Sequence, residues 1–134
     1  MKTSQQLISE AKSNIKEITI AELLTYLQHK PEPRLIDVRE PAEFNEGHIA
    51  GAVNFPRGVL EMQLASHPAV AANGCAADVA LTQLASEPLY LICRSGGRSA
   101  LAAESLQRMG FTEVYSVAGG MQGWHDAKLA LQNN

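Results

Sequence analysis

The sequence has few of the features that mark disulfide-stapled, nucleic-acid-binding or membrane-spanning proteins. It holds two cysteines in 134 residues, too few for the disulfide framework of a small secreted domain. Eleven lysines and arginines against 14 aspartates and glutamates give a formal charge of −3, so no basic excess attracts nucleic acid or an anionic membrane. The apolar runs are far shorter than the ~18 residues of a membrane span.

What remains is the composition of one ordinary globular domain. Hydrophobic residues make up 46% of the chain, enough for a real core. The first 18 residues are polar and lack the apolar core of a signal peptide, so we expect a cytoplasmic protein. We expect residues 1–14 to form a short amphipathic helix or to fray, and residues 15–134 to form a single domain.

Strand and helix patterns alternate along the chain. The predicted strands are 15–19, 34–38, 52–56, 88–93 and 112–118. One predicted helix follows Thr19, and the others begin at or close to Pro41, Gly58, Ala76, Ser99 and Gly119. The run PLYLIC (88–93) is continuously apolar, which is typical of a central strand in a parallel sheet. We therefore predict an α/β fold with an open, mainly parallel five-stranded sheet flanked by helices on both faces.

A cysteine stands where that central strand ends. In open parallel sheets, ligands bind beyond the carboxyl ends of the strands, and Cys93 falls there. Gly96 and Gly97 let the following backbone curl so that its N–H groups turn inward. The helix predicted at Ser99–Met109 adds the partial positive charge of its N-terminus. These groups favour a thiolate, so we predict a nucleophilic Cys93 in an anion-binding loop. The loop comprises Arg94, Ser95, Gly96, Gly97, Arg98 and Ser99.

Three segments resemble the signatures of the rhodanese family of sulfurtransferases, and they follow one another along the chain in the order that the family has. The segment CRSGGRS (93–99) resembles the active-site loop of that family. The segment LIDVREPAEFNEGHIAGAVNFPRGVLE (35–61) resembles the first signature of the family, and VAGGMQGW (117–124) resembles its closing signature. The resemblance spans residues 15–127. It implies a rhodanese-type enzyme that needs no cofactor other than sulfur carried on Cys93 as a persulfide.

The resemblance also assigns roles to the loop. Cys93 takes a sulfane sulfur from a small anionic donor such as thiosulfate and passes it to cyanide, a thiol or a protein acceptor. The persulfide sulfur then sits among the inward N–H groups of Ser95 to Ser99. The departing sulfite is an anion that the two arginines can guide. Arg94 is the expected substrate contact, and Arg98, at the head of the helix, is expected to be partly structural.

Two alternative functions stay open. Cysteine phosphatases and arsenate reductases of related fold place five residues between their cysteine and arginine, whereas four separate Cys93 from Arg98. The smaller ring of N–H groups suits one sulfur better than a phosphate. The second alternative is a non-catalytic rhodanese-like interaction module, although such modules often lack the cysteine.

Charged and polar residues after the strand at 34–38 form a second group of candidates. Buried charges are rare unless paired, so we interpret Asp37 and Arg39 as a structural ion pair, with crevice lining as the alternative. Glu43 and Glu46 are possible partners of Arg39. We expect His48 to bond a backbone carbonyl rather than to act as a general acid or base.

The remaining candidates are weaker. Cys75 could resolve an oxidised Cys93 as a disulfide, but an incidental small residue is the preferred interpretation. Trp124 is expected to anchor the last helix in the core. The histidines and cysteines lack the spacing of metal ligands, so we expect no metal.

Overall fold

Strands and helices alternate along the chain in the computed structural model, which describes residues 1–71, 74 and 76–133. The helices are α1 (Ser4–Asn14), α2 (Ile20–His29), α3 (Pro41–Glu46), α4 (Leu60–Gln63), α5 (Pro68–Ala71), α6 (Ala77–Leu84), α7 (Gly97–Met109) and α8 (Gly120–Asp126). The strands are β1 (Lys16–Ile18), β2 (Leu35–Asp37), β3 (Val53–Asn54), β4 (Leu89–Ile92) and β5 (Val114–Val117). Short 3₁₀ turns, Arg57–Val59 and Leu64–Ser66, flank α4.

The strands form one parallel sheet in the order β1-β5-β4-β2-β3. The central strand is β4, the continuous apolar run, and its partners are β2 and β5. Each observed strand lies inside the segment predicted for it. The predicted α/β fold is confirmed. Because β2 and β4 run parallel in register, with Asp37 opposite Ile92, their carboxyl ends lie side by side. This places Cys93 next to the residues that follow Asp37.

A separate apolar core covers each face of the sheet. One core joins the sheet to α4, α5, α6 and α7, and its fully buried members include Leu60, Leu64, Leu84, Leu91 and Leu106. The other joins the sheet to α2 and α8 and includes Leu23, Leu35, Ile92, Val117 and Trp124. Burying apolar surface at about 25 cal/mol per Å² makes these two layers the main stabilising contribution to the fold. The two cores cover opposite faces of the sheet and so fix the position of the edge at which its strands end.

Local sequence signals set several helix boundaries as predicted. The Thr19 side chain accepts from Glu22 N–H at 3.1 Å, and the Glu22 carboxylate accepts from Thr19 N–H at 3.0 Å, a complete capping box. Helix α7 differs from its prediction, because it begins at Gly97 and not at Ser99. Helix α5 is not among the predicted elements.

The N-terminal segment is a helix in this structure. Helix α1 has its own capping box at Thr3 and packs against α7, with Ala11 fully buried. In the part of the chain that the structure describes, no helix is both long and apolar enough to cross a bilayer. Cys75 lies outside the described residues.

Candidate active site

The cysteine loop turns directly from β4 into helix α7. Gly96 has a φ of 104°, a left-handed conformation that side-chain-bearing residues rarely adopt, and it caps α7. The predicted curl therefore rests on Gly96. Gly97 does not share it, because its φ is not positive and it already belongs to the first turn of α7. Arg98 and Ser99 thus project from the helix, while Arg94 and Ser95 form the connecting turn.

Hydrogen-bond donors surround the sulfur of Cys93. The N–H of Gly96 donates to Sγ at 3.1 Å, and the N–H of Ser99 donates to it at 3.4 Å. The Ser99 hydroxyl lies 3.4 Å from Sγ and 2.7 Å from the hydroxyl of Ser116 on β5. Donors aimed at sulfur stabilise negative charge there. The arrangement can hold an anion at the position of the cysteine side chain.

The sulfur is buried, although it is not surrounded by hydrocarbon alone. Cys93 is 1% exposed and borders the core beneath α7. The start of α8 fixes the loop from outside: Met121 N–H donates to Cys93 O at 2.7 Å, and Gln122 N–H donates to Arg94 O at 2.9 Å. A Cβ on Gly120 would lie 2.4 Å from Cys93 O, so this close approach requires glycine. The loop carbonyls are held by α8, and the loop amides of Gly96 and Ser99 face the sulfur.

The two loop arginines differ in their surroundings. Arg98 forms a bidentate ion pair with Glu43 on α3, at 2.6 and 3.0 Å. Hydrogen bonding from Arg98 lowers the pKa of Glu43 to about 2, and the carboxylate raises the pKa of Arg98 in return. Arg94 is exposed and lines a cavity. The ion pair therefore gives Arg98 a structural contact with α3, whereas the side chain of Arg94 is accessible from the cavity.

The Glu43–Arg98 pair predicts a pH-dependent stability. Because the folded-state pKa of Glu43, about 2, lies below its ordinary 4.5, the pair stabilises the fold above pH 4.5 and loses this effect as the pH falls towards 2. Both side chains are about one-third exposed, so Glu43→Gln should cost only about 1 kcal/mol at neutral pH. The difference from wild type should shrink at about pH 3 in urea unfolding. Glu10→Gln, in the exposed Lys2–Glu10 pair, is the control, and a pH-independent difference would contradict the assignment.

Asp37 and Arg39 form a buried ion pair beside the loop. Asp37 is fully buried and Arg39 is 8% exposed, and the guanidinium donates to Asp37 carboxylate oxygens at 2.8 to 3.1 Å. Arg39 also donates to Gly47 O at 2.8 Å. The pair thus links the end of β2 to the end of α3, as the structural interpretation expects. Arg39 also lines the cavity beside the loop, as the alternative expects. Of the suggested partners of Arg39, Glu43 instead forms its ion pair with Arg98, and the charge of Arg39 acts on it only from nearby. The hydrogen bonds of Arg39 go to Asp37 and Gly47, so Glu46 is not its partner.

A cavity of about 330 Å³ opens beside the loop. Its lining combines charged, polar and apolar side chains: Arg39, Glu43, Glu46, Gly47, Arg94, Met121, Gln122, His125 and Leu131. Cys93 is not part of this lining, but the next residue, Arg94, is. A small anion that enters the cavity therefore meets the Arg94 side chain beside the cysteine loop.

Other candidates have ordinary structural surroundings. His48 Nδ1 lies 2.9 Å from Phe44 O and its ring stacks on Phe44, which confirms the expected bond to a backbone carbonyl. Trp124 is 4% exposed and donates to Ala130 O at 3.0 Å, which confirms its place in the core.

Ser116 was not among the sequence candidates, although its hydroxyl bonds that of Ser99. One signal could have found it. Ser116 is a polar residue in an otherwise apolar strand, one position before the carboxyl end of β5 and beside β4. Such a position faces the same edge of the sheet as Cys93.

Comparison with known proteins decides the family. The sequence model of the rhodanese-like domain family matches residues 19–127 of this chain. The chain belongs to the rhodanese-like family. This confirms the resemblance of the three signatures, and it places the cysteine loop and the Asp37–Arg39 pair inside the matched domain.

Relatives of this rhodanese-like chain differ in length and in name. Thiosulfate sulfurtransferase GlpE of Shewanella oneidensis is 30% identical over 86% of this chain and 97% of its own. The putative sulfur carrier protein YrkF of Bacillus subtilis is 32% identical over 87% of this chain, and the uncharacterized protein YqhL of the same organism is 38% identical over 68%. The chain spans only 54% and 60% of the lengths of these two Bacillus proteins.

Solved structures share the rhodanese-like fold. The polysulfide-sulfur transferase homodimer of Wolinella succinogenes is 27% identical, with a TM-score of 0.67 over 96% of this chain and 85% of that one. A Rhodopseudomonas palustris protein of unknown function, described as a possible tyrosine phosphatase, is also 27% identical, with a TM-score of 0.78 over 98% and 96%.

Proposed function

We propose that this chain is a sulfurtransferase that carries a sulfane sulfur on Cys93 as a persulfide. The observation that supports this most is the pair of N–H donors, from Gly96 and Ser99, aimed at Sγ. Relatives named thiosulfate sulfurtransferase and sulfur carrier add support for sulfur as the cargo. No further cofactor or metal enters the proposal, and we keep the cytoplasm as the predicted location.

The first half-reaction loads the cysteine. The Cys93 thiolate attacks the outer sulfur of thiosulfate, a new S–S bond forms at Sγ, and the S–S bond of thiosulfate breaks. The bonding electron pair leaves with sulfite, and the outer sulfur of the persulfide retains a negative charge. Arg94, exposed beside the loop, can attract both the incoming and the departing anion. The N–H groups at the sulfur stabilise the anionic sulfur before and after transfer.

The second half-reaction removes the sulfur from the Cys93 persulfide. A nucleophile, cyanide or a thiolate, attacks the outer sulfur of the persulfide. The S–S bond breaks and returns its electron pair to Cys93, which regenerates the thiolate. The products are thiocyanate or an acceptor persulfide. Because sulfite leaves before the acceptor reacts, and both substrates react in turn at the same cysteine, the proposal predicts ping-pong kinetics.

Mass spectrometry of the intact protein tests the proposal. Incubation with thiosulfate should add the mass of one sulfur atom, and peptide mapping should place it on Cys93. Addition of cyanide should remove it and release thiocyanate. Protein that gains no sulfur from thiosulfate, polysulfide or a persulfide donor would contradict the proposal and favour the interaction module.

The phosphatase alternative has one observation in its favour, the structural likeness to the possible tyrosine phosphatase. The loop argues against it, because only four residues separate Cys93 from Arg98 and Arg98 is engaged by Glu43. An oxyanion-binding arginine would have to give up that ion pair. Turnover of an aryl phosphate that depends on Cys93 would establish the alternative, and its absence alongside persulfide formation would exclude it.

A further inference from the structure

Helix α1, which precedes the residues matched by the family model, contacts the cysteine loop. The Cδ1 of Ile8 lies 3.0 Å from the position that a Cβ on Gly97 would occupy. The Nζ of Lys12 lies 3.9 Å from the corresponding position on Gly96. We propose that α1 is a working part of the sulfur-transfer site, in which Ile8 positions the Gly96–Gly97 segment and Lys12 attracts the anionic donor. This inference rests on the proposed function.

Ile8 supplies the packing that a glycine pair cannot supply for itself. Gly96 and Gly97 have no side chains to hold them, yet Gly96 must keep a left-handed φ to aim its N–H at Sγ. Ile8 fills the space over Gly97, and the next turn of α1 is anchored by fully buried Ala11. The helix is further fixed by its capping box at Thr3. The loop amide that faces the sulfur is therefore held in place from α1.

Lys12 supplies charge. Among the described residues, neighbouring lysines have partners, since Lys2 pairs with Glu10 and Lys16 pairs with Glu113, whereas Lys12 has no hydrogen bond or ion pair. Its ammonium lies beside Gly96, whose N–H is 3.1 Å from Sγ. It is therefore within about one Debye length, ~10 Å at 0.1 M salt, of the sulfur. A free cation at that distance attracts a dianionic donor to the loop.

The test of Ile8 compares it with its exposed neighbour. Ile8→Ala should lower kcat for thiosulfate and cyanide about tenfold with little change in KM, because the misplaced N–H group stabilises the transition state less well. Leu7→Ala removes a similar side chain from the exposed face of the same helix and should leave kcat unchanged. Ile8→Val should restore most of the loss. Equal kcat values for Ile8→Ala and Leu7→Ala, or failure of valine to rescue, would overturn the role of Ile8.

The test of Lys12 uses salt. Lys12→Gln should raise KM for thiosulfate about threefold at 0.05 M salt and have no effect at about 1 M, where charges are screened. Lys2→Gln makes the same charge change just before the N-terminus of α1 and should leave KM unchanged. A KM that does not respond to Lys12→Gln, or a response that persists at high salt, would overturn the electrostatic role.

Alkylation of Cys93 separates failure of this inference from failure of the proposed function. Iodoacetamide is neutral and iodoacetate is an anion, and neither needs sulfur transfer to react. Ile8→Ala should slow both reagents, whereas Lys12→Gln should slow iodoacetate selectively. If the wild type gains no sulfur but both alkylation results hold, the sulfurtransferase proposal fails and the role of α1 stands. If alkylation is unchanged in both variants, the role of α1 fails.

Discussion

Replacing Cys93 with serine should abolish sulfur transfer. The hydroxyl fits among the same donors, the N–H groups of Gly96 and Ser99, but it is a much weaker nucleophile at neutral pH and cannot form a persulfide. Thiocyanate production from thiosulfate and cyanide should therefore fall to the rate without protein. The intact mass should show no added sulfur after incubation with thiosulfate. The fold should survive, because the change is close to isosteric and leaves the loop donors with an acceptor.

The chain offers a matched control in its other cysteine. Cys75→Ser makes the same chemical change and should keep both the sulfur gain and the turnover. This control also tests the alternative interpretation of Cys75 as a resolving residue, because formation of a Cys75–Cys93 disulfide under oxidation would disappear in this variant. Retained turnover in Cys93→Ser, or its loss in Cys75→Ser alone, would show that the nucleophile has been assigned wrongly.

Replacing Asp37 with alanine should destabilise the fold by about 3–5 kcal/mol, because it leaves the buried guanidinium of Arg39 without its carboxylate. Asp37 is fully buried and accepts from both the Arg39 side chain and the Arg39 backbone N–H. For a domain of this size the loss corresponds to a fall in Tm of roughly 10–20 °C. Urea unfolding and calorimetry would measure it. The Asn54 side chain, which bonds the backbone carbonyls of Asp37 and Arg39, cannot neutralise the charge.

Two further variants separate the cost of an unpaired charge from a general loss of packing. Asp37→Ala combined with Arg39→Met should recover part of the lost stability, since the uncompensated charge is gone. Glu10→Ala, in the exposed pair with Lys2, should change stability by less than about 1 kcal/mol. An Asp37→Ala variant as stable as Glu10→Ala would contradict the account of this pair.

Interactions between residues close together in the chain could be predicted from the sequence. The capping box of Thr19 and Glu22 spans three residues, and the loop donors Gly96 and Ser99 lie three and six residues from the sulfur that they contact. Such short separations leave few conformations to consider. The exception is Gly97, which was expected to curl with Gly96 and instead begins α7. Its small size is explained by the neighbouring Ile8, which sequence spacing does not reveal.

The sequence by itself determined the class of fold, the order of the strands along the chain and the cysteine loop at the end of the central strand. Only the tertiary structure decided which distant partners each side chain meets: Glu43 for Arg98, 55 residues away, Ser116 for Ser99, 17 residues away, and α1 for the glycines of the loop. The physical reason is that backbone conformation depends on residues within a few positions. A long-range ion pair or contact depends instead on how whole helices pack on the sheet, which many sequences of the same pattern could do differently.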